Sequence, residues 1–60
     1  MSQIEPQKIY EGKGKEMVLI MGRAYYVEQK IYLTIYQNLE NKETLASTEE
    51  AFLEYFTLIN

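Results

Sequence analysis

Cysteine, histidine, aspartate and tryptophan are all missing from this sequence, and their absence removes several kinds of chemistry. Without cysteine there is no disulfide, no thiolate metal site and no thiol nucleophile. Without histidine the usual general base and the commonest metal ligand are gone as well. Glutamate pairs remain, at Glu40 and Glu43 and at Glu49 and Glu50. Paired carboxylates work as acid and base only in a shielded cleft that shifts one pKa, and a chain this short does not easily build one. The expectation is a protein that is not an enzyme and uses no metal and no cofactor.

Long apolar runs are also lacking. The longest, Met17 to Met21, has five residues, far too few for a membrane span. The stretch Met1 to Pro6 has neither a basic region nor an apolar run, so it does not read as a signal peptide. A cytoplasmic location without membrane contact is expected. Basic residues are scarce in the second half. Up to Lys30 there are five against four glutamates, a net of +1, and from Ile31 onward Lys42 alone faces five glutamates, a net of −4. A general nucleic-acid binder needs a basic stripe to displace counterions, so this balance argues against direct nucleic-acid binding. It permits an acidic surface that docks on a basic one.

Sixty residues make one domain, 1–60, near the lower limit for folding alone. With no covalent or metal staple, a homodimer or a tight partner is expected. Residues 1–7 are polar with one proline and read as a fraying end. A short strand follows at Lys8-Ile9-Tyr10. The run Glu11-Gly12-Lys13-Gly14-Lys15 then reads as a tight hairpin turn, because either glycine accepts a positive φ. It is not a phosphate loop, which needs a longer glycine spacing and a following helix.

Strands are predicted over 16–27, 30–37 and 43–46. The second alternates cleanly, with Ile31, Leu33 and Ile35 facing one way and Tyr32, Thr34 and Tyr36 the other. A turn centred on Glu28-Gln29 sets Tyr25 opposite Tyr32, Arg23 opposite Thr34 and Met21 opposite Tyr36. The other face then gathers Val18, Ile20, Gly22, Ala24, Tyr26, Ile31, Leu33 and Ile35 as the core, where the small Gly22 and Ala24 suit a bend or a close helix. After it, Ser47-Thr48-Glu49-Glu50 reads as a capping box with Ser47 as the cap. Phe52, Tyr55, Phe56 and Ile59 continue at helical spacing, which predicts one C-terminal amphipathic helix.

The clearest positive signal is six tyrosines in sixty residues. Tyrosine joins a large rigid apolar area to a polar tip, the makeup of interaction surfaces. Tyr25, Tyr32 and Tyr36, with Arg23 and Met21, are therefore the candidate binding face, unless the sheet curls into a barrel that buries both faces, and Glu50 and Glu54 on the helix are the acidic alternative.

The runs Ile9-Tyr10-Glu11-Gly12-Lys13-Gly14, Val18 to Ala24 and Tyr32 to Leu39 together resemble a small uncharacterised bacterial β-domain family. Its members read roughly Y-R-H-Y-K-G, V-L-G-x-A, V-V-Y-x-x-L-Y, W-x-R-P and a short M-F segment. The likeness covers about residues 9–56, with Phe52 near the M-F position. The family's histidine and its W-x-R-P have no counterpart, and Ala46-Ser47-Thr48 stands in place of the latter. The resemblance implies an SH3-like barrel and no particular activity. The expected architecture is α+β and mostly β: a curved antiparallel sheet of three or four strands, an SH3-like partial barrel, with one C-terminal helix.

Two functions are compatible with these residues. One is a protein-binding module that docks stoichiometrically on a larger protein, as a phage-type inhibitor of a nucleic-acid-processing enzyme or as an accessory subunit. The alternative is a β-barrel that binds a small ligand or single-stranded nucleic acid by stacking on its tyrosines, with Lys13, Lys15 and Arg23 meeting phosphate.

Overall fold

Alternating side chains and three short turns fold most of this chain into a single sheet. The computed structural model describes residues 6–59. Its strands are β1 (Ile9–Gly12), β2 (Met17–Tyr26), β3 (Ile31–Asn38), β4 (Thr44–Thr48) and β5 (Phe56–Leu58), and helix α1 (Glu49–Tyr55) lies between the last two. The strand order is β4-β3-β2-β1-β5, with every neighbouring pair antiparallel. The mostly-β architecture agrees with expectation, but there are five strands and the sheet is open. Of the segment expected to fray, residues 1–5 lie outside the described residues. Gln7 is tied down, its N–H donating to the Ile20 carbonyl at 2.8 Å.

The fifth strand hides in what reads as helix. The periodicity of Phe52, Tyr55, Phe56 and Ile59 continues to the end, yet Phe56 adopts φ −112° and ψ 146° and the helix ends at Tyr55. Pairing explains the change. Phe56, Thr57 and Leu58 lie opposite Gly12, Glu11 and Tyr10, and a longer helix would leave that edge of β1 without hydrogen-bond partners. The N-cap is Thr48 rather than Ser47, its hydroxyl accepting from the Ala51 N–H at 3.2 Å. Ser47 is still paired within β4, opposite Thr34, so the helix starts one residue later and the expected capping box is not formed. A cap of this kind contributes about 1 kcal/mol.

Each hairpin turn is closed by a lysine in the left-handed region: Lys15 (φ 71°), Lys30 (φ 57°) and Lys42 (φ 66°). In the first turn the expected positive φ therefore falls on Lys15 and not on a glycine. Gly12 is needed for space instead. A Cβ there would lie 2.5 Å from Glu16 Oε1 and 2.6 Å from a Tyr55 ring carbon. The second turn spans four residues, with the Lys30 N–H donating to the Tyr26 carbonyl at 2.8 Å. In the third, Asn38 Oδ1 accepts from the Glu40 N–H at 2.8 Å, an Asx arrangement that holds the loop.

A bulge decides which residues are core. Tyr25 pairs with Tyr32 and Arg23 with Thr34, as expected, but Tyr36 lies opposite Ile20, and Met21 is the extra residue between the two halves of β2. One inserted residue reverses the side-chain alternation. Val18 and Ile20 thereby join Arg23, Tyr25, Tyr32, Thr34 and Tyr36 on one face, the face covered by α1. Gly22 follows the bulge with φ 152°, a conformation that glycine alone adopts readily. An added Cβ there would meet nothing, so Gly22 serves the bend and not a close helix. The core consists of Tyr10, Val18, Ile20, Tyr36, Phe52 and Phe56. Ile31, Leu33 and Ile35 are not part of it and lie on the opposite face.

A side-chain pair pins the helix to the first turn. The Tyr55 hydroxyl donates to Glu16 Oε2 at 2.7 Å. Hydrogen bonding by its own backbone N–H, and then by Tyr55, holds the Glu16 carboxyl below its ordinary 4.5. The hydrogen bond to Glu16 pushes the Tyr55 hydroxyl above its ordinary 10.0. A lowered carboxyl stabilises the fold above its unfolded pKa and ceases to do so as pH falls through its folded value. Tyr55→Phe is therefore expected to lower Tm above pH 4.5 and to converge on wild type below it. Thermal melts across that range check this, and an equal deficit at every pH would count against it.

Candidate binding site

The register of the β2–β3 hairpin brings three candidate residues together. Tyr25 and Tyr32 face each other across the strands with ring centroids 5.0 Å apart and planes at 62°, an edge-to-face contact favoured by the ring quadrupoles. The Arg23 guanidinium carbon lies 4.3 Å from the Tyr32 centroid, within cation–π range. Each ring supports the other, yet Tyr25 is 50% and Tyr32 53% exposed. They sit on the helix-bearing face, beyond the end that the helix covers.

A hollow of about 310 Å³ adjoins them, lined by Pro6, Ile20, Gly22, Arg23 and Tyr32. Its position follows from the bulge, which swings Arg23 onto the face of Ile20. The hollow joins an apolar floor to one cation and one aromatic ring. That combination suits an apolar side chain flanked by an acidic or carbonyl group.

The other candidates are placed elsewhere. Tyr36 shares the face but is 9% exposed and packs under the helix, its ring 5.0 Å from Phe52 and 5.4 Å from Phe56. It belongs to the core and is not a surface anchor. Met21 is exposed at the bulge, not opposite Tyr36. Glu50 and Glu54 are exposed, one turn apart on α1, whose contacts are with β3, β4 and β5. Sequence reasoning missed Pro6 and Ile20 as lining residues. Gly22 carried a usable signal, an isolated glycine inside a strand pattern, which marks a bulge.

No helix among the described residues is long and apolar enough to cross a membrane. Neither a protein-family model, nor a curated protein, nor a solved structure matches the chain.

Proposed function

We propose that this chain is a non-catalytic protein-binding module, and that it docks on a larger protein through Arg23, Tyr25, Tyr32 and the hollow beside them. The observation that carries this reading is the packed, half-exposed tyrosine pair with a guanidinium over one ring. Tyrosine and arginine dominate interface anchors. Rings already held against each other lose little freedom on binding, so more of their contact energy appears as affinity. The exposed Glu50 and Glu54 add an acidic patch that steers a basic partner.

For the framework we propose an SH3-like partial barrel, a reading supported by four strands that run as a meander, a short helix after them and a last strand that returns beside the first. A cysteine-free chain suits the reducing cytoplasm. There it would act by occupancy, as an inhibitor or as an accessory subunit.

Affinity capture from cell lysate, analysed by mass spectrometry, tests the proposal. Wild type is expected to retain a protein that the Tyr25→Ser/Tyr32→Ser variant, still folded by circular dichroism, does not. Equal capture by both would reject this surface. Salt-sensitive binding of single-stranded DNA would instead favour the nucleic-acid reading.

A further inference from the structure

Arg23 is held in place yet has no counter-ion. Its guanidinium carbon lies 4.3 Å from the Tyr32 ring centroid, and among the described residues it has no carboxylate or carbonyl partner. A stacked arginine keeps five N–H donors in one plane, a fork that matches a carboxylate. The residue is exposed, and beside it lies the hollow of about 310 Å³, with Ile20 as its floor and Pro6 and Tyr32 as walls. The surrounding charge is positive as well. From Met17 to Asn38 the chain carries Arg23 and Lys30 against Glu28, two cations less one anion, a net of +1 within a total of −3. Lys8 is tied to the same stretch of β2, its carbonyl accepting from the Ile20 N–H at 3.0 Å. We infer that the partner's docking segment is acidic at this point: an apolar residue fills the hollow, and an aspartate or glutamate beside it pairs with Arg23. This rests on the docking surface proposed above and names what that surface takes.

Size favours a side chain over a cofactor. Small-molecule sites run from about 300 to 1,000 Å³, so this hollow lies at their lower limit and suits a single large side chain. Spacing then places the acid. In an extended segment, side chains two residues apart lie on one side, about 7 Å from each other. An apolar residue in the hollow thus brings an acid two positions away to the guanidinium at the rim. A backbone carbonyl reaches Arg23 as one neutral acceptor, whereas a carboxylate makes two parallel charge-assisted bonds. A nucleic-acid strand is the poorer occupant, because it presents a row of phosphates and the hollow offers one cation. Glu50 and Glu54 stand on α1. A partner that is basic elsewhere and acidic at its anchor meets both signs, which fixes its orientation.

Titration of the isotope-labelled full chain with N-acetyl-Leu-Gly-Glu-amide, followed by NMR, tests this, with the glutamine and lysine counterparts of the peptide as comparators. The glutamate peptide is expected to shift the Gly22 amide and the Arg23 Nε–H, and to bind about tenfold or more tightly than the glutamine peptide. Added salt should weaken the first and leave the second nearly unchanged. Arg23→Gln replaces an exposed side chain and should bring the glutamate peptide down to the affinity of the glutamine one. Arg23→Lys should keep only part of the preference, because the charge stays and the fork is lost. Equal binding of the glutamate and glutamine peptides would overturn the inference. So would a preference for the lysine peptide, an undiminished preference in Arg23→Gln, or no shift at Gly22 and Arg23 with any of the three. None of these results removes the docking surface itself, which falls instead on equal capture of the lysate partner by wild type and Tyr25→Ser/Tyr32→Ser.

Discussion

Phe52→Ala is expected to leave the chain largely unfolded at 25 °C. Phe52 is 1% exposed and sits at the centre of the core, with ring centroids 5.1 Å from Tyr10, 5.0 Å from Tyr36 and 4.5 Å from Phe56. It is the one buried residue of α1, and beside it the helix adds only the partly buried Leu53 to the core. Truncating a buried aromatic residue costs about 3–5 kcal/mol. A chain of this length has only about 3–9 kcal/mol in all at the usual stability per residue, so the two quantities are comparable. Urea titration followed by circular dichroism checks the result. A loss below about 1 kcal/mol would show that the helix is not held to the sheet by this ring.

Much of this architecture was legible in the residues, and where reading failed the cause is local. The β2–β3 pairing near the turn, Tyr25 with Tyr32 and Arg23 with Thr34, follows from turn length and alternation alone. Two residues beyond Arg23, the pairing departs from the reading because Met21 is inserted. A bulge leaves only an isolated glycine as its trace, and here that glycine has the equally ordinary explanation of a close helix. The consequence was large. The aliphatic run Ile31, Leu33 and Ile35 looked like the core, whereas the structure gives that role to Tyr36 and Thr34 on the other side of β3.

The end of the chain failed for a second reason. Phe52, Tyr55 and Phe56 fit a helix by spacing, and spacing does not register that β1 has an unpaired edge. The demand for hydrogen bonds along β1 is a tertiary one and overrides the local pattern from Phe56 onward. The candidate site was legible as a composition, tyrosines beside an arginine. It was not legible as a geometry, because the hollow depends on the bulge and on Pro6, which no strand pattern includes.

The sharpest separation between fold and binding lies within one strand. Tyr32 and Tyr36 share a face of β3 four residues apart, one 53% exposed and the other 9%. Tyr36→Ser removes edge-to-face contacts to both Phe52 and Phe56 and strands a hydroxyl beside them. Its expected cost is about 3 kcal/mol or more in stability, which leaves little folded protein to bind anything. Tyr32→Ser removes a half-exposed ring whose partners are Tyr25 and Arg23, and the fold should lose under about 1 kcal/mol. Its affinity for the docking partner should fall by about 2 kcal/mol, roughly 30-fold. Tyr25→Ser should give a loss of similar size that is not additive with the first, because the two rings touch. Urea melts and titration calorimetry on the same three variants measure both quantities. If Tyr32→Ser destabilises the chain as much as Tyr36→Ser does, the exposed pair is part of the core. If it costs neither stability nor affinity, docking moves to the acidic face of the helix, where Glu50→Lys and Glu54→Lys would then weaken binding.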